Sequence, residues 1–127
     1  MPIREGAIRC AANIRCIILD VDGVLTDGRI YVAPDGRELC KPFFVRDGLI
    51  ITLARKVGLT TAIITGRTSE MVASRAKELH IELIYQGSLD KRTAYRDIKE
   101  RTGLADKELA YIGDDIVDLP ILQQVGL

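Results

Sequence analysis

Residues 16–28 read CIILDVDGVLTDG, in which four apolar residues are followed by two aspartates, Asp20 and Asp22. Similar short apolar runs recur at 61–64, 83–85 and 109–112, each ending in polar residues or glycine. Runs that are apolar at every position are typical of strands buried on both faces of a parallel sheet. Amphipathic stretches at 49–57, 71–79, 94–101 and 116–125 have helical periodicity. The pattern therefore predicts an α/β fold with an open, Rossmann-like, mostly parallel sheet and helices on both faces.

A β-hairpin is predicted directly after the first strand. Two short alternating runs, at 30–32 and 38–40, flank the turn sequence Pro34-Asp35-Gly36. Because the hairpin follows the first strand, we expect it to project from that strand's carboxyl end as a flap over about 29–46. We found no repeat, linker or insertion large enough for a cap domain, so residues 1–127 are predicted to form a single capless domain.

The composition excludes several classes of protein. The chain has 127 residues, 47% of them apolar, enough for one domain with its own core. Lys and Arg together number 18, as do Asp and Glu, and a zero net charge argues against binding to nucleic acid or to a membrane. Cys10, Cys16 and Cys40 lack the spacing of a disulfide framework or zinc site, and we interpret them as buried apolar residues. We therefore predict a cytoplasmic protein.

The most informative polar residues follow the predicted strands. Ligands of open α/β sheets bind beyond the carboxyl ends of the strands, so side chains that follow neighbouring strands are expected to meet there. Each residue alone has an ordinary explanation, such as a helix cap, but their joint arrangement is hard to explain that way. In chain order these residues are Asp20, Asp22, Thr65, Gly66, Arg67, Lys91, Asp114, Asp115 and Asp118.

These residue types suit phosphoryl transfer. Crowded carboxylates repel one another unless some are protonated or share a cation, and Mg²⁺ binds carboxylate oxygens together with water and phosphate. The Thr65 hydroxyl and the Lys91 ammonium group are suited to phosphate oxygens. We expect Asp20 to attack phosphorus, while Asp22 first protonates the leaving oxygen and then activates water.

Four motifs resemble those of the haloacid dehalogenase-like phosphatases, in the family's order and spacing. They are DVDGVLTDG at 20–28, IITGR at 63–67, Lys91, and GDDIVD at 113–118. The resemblance implies an Mg²⁺-dependent phosphatase with Asp20 as the nucleophile and Asp22 as the acid and base. By the same resemblance, Asp20, the Asp22 carbonyl group and Asp114 bind Mg²⁺; Thr65, Gly66 and Lys91 bind phosphate; Asp115 supports the metal's water shell and Asp118 supports Lys91.

The short separation of the first two motifs resembles the capless subclass, and within it the 3-deoxy-D-manno-octulosonate 8-phosphate (KDO 8-phosphate) phosphatases. The sequences GRIY at 28–31, VRDG at 45–48 and YQG at 85–87 are similar to that family. The resemblance implies hydrolysis of a sugar-acid phosphate in lipopolysaccharide precursor synthesis. It also implies a homotetramer in which neighbouring subunits help to cover each site. Residues near the substrate would be Arg46, Asp47, Gly48, Arg67 and Arg75.

Three other functions stay open at this point. Related capless enzymes act on 9-phosphates of acylneuraminate-type sugar acids, and Phe44 and Thr52 depart from the pattern of the KDO 8-phosphate enzymes. Similar domains also occur as non-catalytic oligomerisation modules. A receiver domain of a response regulator shares the fold class and an acidic Mg²⁺ pocket, but it needs a carboxylate after the third strand, where this chain has Gln86-Gly87.

The end of the sequence carries a further expectation. Similar phosphatases continue with another strand, a helix and a tail beyond the fourth motif. The final residues, Val125-Gly126-Leu127, lack a polar terminus. We therefore expect a chain that is truncated at its C-terminus, with all four motifs retained.

Overall fold

The computed structural model describes residues 3–127 of the chain. The predicted strands all occur, as do the predicted helices apart from the last, and a helix that the sequence pattern did not predict lies at the N-terminus. The helices are α1 (Glu5–Asn13), α2 (Val45–Lys56), α3 (Glu70–Glu78), α4 (Lys91–Thr102) and α5 (Leu119–Leu122). The strands are β1 (Cys16–Leu19), β2 (Tyr31–Val32), β3 (Glu38–Cys40), β4 (Thr60–Ile64), β5 (Leu83–Tyr85) and β6 (Leu109–Ile112).

The main sheet is parallel and has the strand order β5-β4-β1-β6. The carboxyl end of β1 lies in register with both neighbours, since Leu19 is opposite Ile63 of β4 and Ile112 of β6. The polar residues that follow these strands are therefore delivered to one edge of the sheet, as predicted.

Helices pack on both faces of this sheet, which confirms the predicted class. On one face Ile18 packs in a buried cluster with α4 residues such as Ile98. On the other face Leu19 packs with Ile51 of α2 and Val72 of α3. Neighbouring residues of β1 thus enter two different cores, and this explains why the strand is apolar at every position.

The predicted hairpin is a separate two-stranded antiparallel sheet of β2 and β3. It follows β1 and its loop, and α2 begins directly after it at Val45, so the last two positions of the predicted flap, 45 and 46, belong to the helix. Within residues 3–127 the inserts between the sheet strands are this hairpin and helices, and no separate cap domain is present.

Two further details differ from the sequence-based expectations. The stretch 116–125 is not one helix: a 3-10 turn at Ile116–Asp118 leads into the short α5, in whose first turn Pro120 lies. Cys16 is buried, but Cys10 is half-buried and Cys40 is exposed, so the interpretation of all three as core residues was wrong. No described helix has the length and hydropathy needed to cross a bilayer.

Candidate active site

Asp20 lies at the carboxyl end of β1, where its backbone ties the loop to the sheet. Its N–H donates to the carbonyl of Ile112 on β6, at 3.0 Å. One carboxylate oxygen accepts the N–H of Val21 at 2.7 Å. Burial raises the pKa of Asp20, while hydrogen bonds from Lys91 and Val21 act in the opposite direction. The side chain is therefore held in one orientation, with Oδ1 bonded to the Val21 N–H and Oδ2 facing Lys91.

Lys91 reaches Asp20 from the first turn of α4. The helix begins at this residue because Asp90 caps it, accepting the N–H of Arg92. The Lys91 Nζ lies 2.8 Å from Asp20 Oδ2 and 2.6 Å from Asp118 Oδ1, and its side chain is 2% exposed. A buried ammonium group is thus neutralised between two carboxylates, as buried charges require.

Asp118 is fully buried and all its bonds are internal. Its Oδ1 accepts from Lys91 and from the Tyr111 hydroxyl, and its Oδ2 accepts the N–H groups of Asp114 and Asp115 at 3.0 and 3.1 Å. Burial alone raises the pKa of Asp118, but the hydrogen bonds from Lys91 and Tyr111 outweigh it and lower the pKa. Asp118 therefore holds both Lys91 and the loop that carries Asp114.

The acidic residues at this edge form a group that fits a hard cation. One carboxylate oxygen each from Asp20, Asp114 and Asp118 lies within 4.8 Å of the others. Asp118 already accepts four hydrogen bonds, so the carboxylates left to bind a metal ion are those of Asp20 and Asp114. Asp114 is exposed, and its carboxylate makes no ion pair within residues 3–127. Carboxylate oxygens of this kind suit Mg²⁺. The Asp22 carboxylate lies outside this group, which is compatible with the expected role of its carbonyl group.

Gly23 makes room for Asp114. It adopts a φ of +84°, and a Cβ at this position would overlap the Asp114 carboxylate. A residue with a side chain would therefore be strained in backbone conformation and would also displace a candidate metal ligand. This is the physical reason for glycine directly after the second aspartate.

Asp22 has a different partner, which the sequence analysis missed. Lys41, at the end of the flap, places its Nζ 2.6 Å from Asp22 Oδ1 and 3.2 Å from Glu38 Oε2. Glu38 also accepts the hydroxyl of Ser69 at 2.6 Å, at the N-cap of α3, and lies 3.7 Å from Arg67. We call Lys41, Glu38 and Ser69 the flap network. It connects the predicted acid and base to the hairpin and to α3.

The predicted phosphate-binding loop follows β4. Thr65 is buried, and its backbone bonds to Tyr85 and Ser88 keep the loop against the end of β5. Its hydroxyl makes no hydrogen bond within residues 3–127, so it is available to a ligand. Gly66 and Arg67 continue the loop, and Arg67 is half-exposed beside Glu38.

The other predicted substrate residues lie in the first turn of α2 and, in the case of Arg75, on α3. Arg75 lies over Gly48, pairs with Glu78 at 2.7 Å and stacks on Phe43. Arg46 lies over the ring of Phe44, and Asp47 is half-buried nearby. Neither Arg46 nor Arg75 makes an ion pair with Asp20 or Asp114 within the described part of the chain. Asp115 is exposed, and its side chain accepts the N–H of Ile116.

Solved and curated proteins resemble this chain over nearly its whole length. The 3-deoxy-D-manno-octulosonate 8-phosphate phosphatase KdsC of Escherichia coli K12 is 45% identical over 126 residues, covering 99% of this chain and 66% of that protein. The crystal structure of the Yersinia pestis phosphatase of the same name superposes with a TM-score of 0.96 at 44% identity, covering 99% of this chain and 68% of that one. The chain belongs to the KDO 8-phosphate phosphatase family. No model of a protein family matches it.

Another member of the family carries ligands. The structure from Moraxella catarrhalis holds a magnesium ion, a phosphate ion and a KDO molecule, and it superposes with a TM-score of 0.91 at 42% identity over 98% of this chain and 71% of that one. This chain spans about two thirds, 66%, of the length of the first curated relatives of the family.

Proposed function

We propose that the chain is an Mg²⁺-dependent phosphatase that hydrolyses the phosphate monoester of a sugar acid, 3-deoxy-D-manno-octulosonate 8-phosphate. The observation that carries this proposal is the arrangement of Asp20, Lys91 and Asp118, a buried ion network next to the exposed carboxylate of Asp114. Buried charges are costly to the fold, so a network of this kind at the ligand-binding edge of a parallel sheet favours an enzyme over a non-catalytic module.

In the first proposed step, Asp20 attacks phosphorus with a carboxylate oxygen. The bond between phosphorus and the ester oxygen breaks, and the leaving alcohol takes the proton of Asp22. The product is an aspartyl-phosphate on Asp20 and a free sugar acid. Lys91 is already hydrogen-bonded to Asp20, so its charge is in place to offset the charge of the phosphoryl oxygens.

In the second step, water attacks the aspartyl-phosphate. Asp22, now a carboxylate, takes a proton from this water, and phosphate leaves with regeneration of the Asp20 carboxylate. Thr65 and the Gly66 backbone are proposed to hold phosphate oxygens in both steps. A magnesium ion bound by Asp20, Asp114 and the Asp22 carbonyl would supply charge neutralisation at the phosphoryl group.

The choice of sugar acid is supported by the relatives. The curated relatives described above are named for KDO 8-phosphate, and the Moraxella structure contains KDO. These names favour KDO 8-phosphate over the acylneuraminate-type 9-phosphates. The proposed partners of the substrate's carboxylate and hydroxyl groups are Arg67, beside the flap network, Arg46, in the first turn of α2, and Arg75, on α3.

We also propose a homotetramer, located in the cytoplasm. The outer face of α2 supports a contact with another copy, because Val45, Leu49 and Ile50 are all more than half exposed, Val45 to 81%. Light scattering on the purified chain measures its oligomeric mass directly, and a monomer at working concentrations would contradict the tetramer.

The test of the phosphatase is phosphate release from KDO 8-phosphate with Mg²⁺. We expect turnover that is lost in chelator and in Asp20→Asn, because both remove a group needed for attack on phosphorus. An acylneuraminate 9-phosphate serves as the competing substrate. Asp20→Asn with the turnover of the original chain would refute the proposed nucleophile.

A further inference from the structure

We propose that Lys41 is a positioning residue for Asp22, holding one oxygen of the acid and base so that the other faces the leaving group. This inference rests on the proposed phosphatase function. It assigns a catalytic task to the flap hairpin beyond covering the site.

The geometry around Lys41 is that of a fixed donor. Its side chain is 1% exposed although it lies at the end of a two-stranded hairpin, and its Nζ contacts Asp22 Oδ1 at 2.6 Å. Asp22 Oδ2 makes no hydrogen bond within residues 3–127, and the Asp22 side chain is 22% exposed. One oxygen is therefore fixed by Lys41, and the other, on a side chain that is partly exposed, has no partner within the described residues.

Glu38 fixes Lys41 in turn. Glu38 Oε2 lies 3.2 Å from the Lys41 Nζ, and its other oxygen accepts the Ser69 hydroxyl at 2.6 Å. The Ser69 N–H donates to Gln86 Oε1 at 2.7 Å, which ties the N-cap of α3 to the loop after β5. The lysine is thus anchored to the sheet by two routes, through Asp22 and through Glu38 and Ser69.

This arrangement serves both proton transfers. A protonated Asp22 carries its proton on Oδ2 while Oδ1 accepts from Lys41, so the acid presents its O–H toward the leaving oxygen. After that proton has left, the same oxygen is the free base for water. Removing Lys41 allows the Asp22 side chain to rotate, which lowers the fraction of molecules with the proton correctly placed.

The experiment compares two leaving groups in single turnovers with excess protein. KDO 8-phosphate releases an alkoxide that needs a proton, while p-nitrophenyl phosphate releases a stable phenolate that needs little help. The variants are Lys41→Gln, Lys41→Arg and, as a matched control, Arg37→Gln at the exposed tip of the same hairpin. Melting temperatures and KM are recorded for each.

We expect Lys41→Gln to slow release of KDO about tenfold or more and release of nitrophenolate less than about threefold, because only the first reaction depends on the acid. Lys41→Arg should recover part of the loss, and Arg37→Gln should react like the original chain. Glu38→Gln keeps the lysine but weakens its anchor. It should therefore slow both releases less, again with a larger effect on KDO than on nitrophenolate. Glu38→Gln also tests the idea if Lys41→Gln does not fold.

Two results would overturn the inference while leaving the phosphatase intact. Equal losses with both substrates in Lys41→Gln would indicate a general structural defect. A higher KM for KDO 8-phosphate with an unchanged release rate would make Lys41 a substrate contact. An original chain that releases neither leaving group would refute the proposed function itself, and the inference with it.

Discussion

Two lysines of this molecule each lie between two carboxylates, but in regions of very different construction. Lys91 bridges Asp20 and Asp118, whose side chains are 10% and 0% exposed and belong to the sheet edge. Lys41 bridges Asp22 and Glu38, which retain 22% and 14% exposure, and it reaches them from the end of a hairpin whose strands pair only with each other within the described residues.

This difference in exposure distinguishes a lysine that the fold requires from a lysine whose loss the fold can tolerate. Asp118 has no access to water if Lys91 is lost and Asp20 has little, whereas Asp22 and Glu38 are more exposed and can be rehydrated if Lys41 is lost. We therefore interpret the Lys91 network as an ion network that the fold requires, and the flap network as one whose carboxylates can return to water if the lysine is lost.

The largest expected effect is the loss of stability in Lys91→Met. Leaving Asp20 and Asp118 unpaired should lower the free energy of unfolding by about 3–5 kcal/mol, and Lys41→Met should lower it by only about 1–2 kcal/mol because its partners can rehydrate. Urea unfolding of both variants provides the comparison.

Lys99→Met is the control for this pair. Lys99 is also on α4, but its ion pair with Asp106 is partly exposed, so we expect a change below about 1 kcal/mol. If Lys41→Met proved as destabilising as Lys91→Met, the distinction between a lysine that the fold requires and one whose loss it tolerates would be wrong.

The next effect concerns the hydroxyl group in each region. Tyr111→Phe removes a buried hydrogen bond to the charged Asp118, and we expect a loss of about 1.5–3 kcal/mol. Ser69→Ala removes the hydroxyl that anchors Glu38 in the flap network, and the half-buried site should reduce the loss to about 0.5–1.5 kcal/mol. Thermal unfolding measures both losses of stability. A larger loss in Ser69→Ala than in Tyr111→Phe would contradict the proposed difference between the two networks.

A smaller effect on stability, with a specific effect on Mg²⁺, is expected for Gly23→Ala. Gly23 and the hairpin-tip residue Gly36 have the same φ of +84°, but no atom lies within 4 Å of a Cβ placed at Gly36. Each alanine should cost about 1–2 kcal/mol from the backbone conformation alone. Only Gly23→Ala should raise the Mg²⁺ concentration needed for half-maximal turnover, since it displaces Asp114. Equal Mg²⁺ titrations would contradict the placement of Asp114 as a ligand.

The sheet edge was predictable from the sequence because its geometry follows from strand order. Asp20 and Thr65 directly follow apolar runs and Asp114 follows one after Gly113, and parallel strands bring such positions together whatever the details of packing. Lys91 and Asp118 were predicted as a pair from the resemblance, and the structure places them 2.6 Å apart. A local pattern and a general rule of topology were sufficient for Asp20, Thr65 and Asp114, whereas the pairing of Lys91 with Asp118 needed the family resemblance.

The flap network could not be predicted in the same way. Lys41 and Asp22 are 19 positions apart, and Ser69 and Glu38 are 31 apart, so their contacts depend on how the hairpin docks onto α3. No periodicity in the sequence predicts how the hairpin packs against α3. Tyr111 was missed for another reason, because in an apolar strand it looks like a core residue and only its hydroxyl takes part in the site.

The proposed mechanism requires a phosphoryl group on Asp20, and the variant Asp22→Asn should trap that intermediate. This variant lacks the base for the second step, so p-nitrophenyl phosphate with Mg²⁺ should release one nitrophenolate per chain and then stop. Mass spectrometry of the quenched protein should find one phosphoryl group on the peptide that contains Asp20. A variant that releases nitrophenolate with no phosphoryl group on that peptide, or with the group on another residue, would contradict the account.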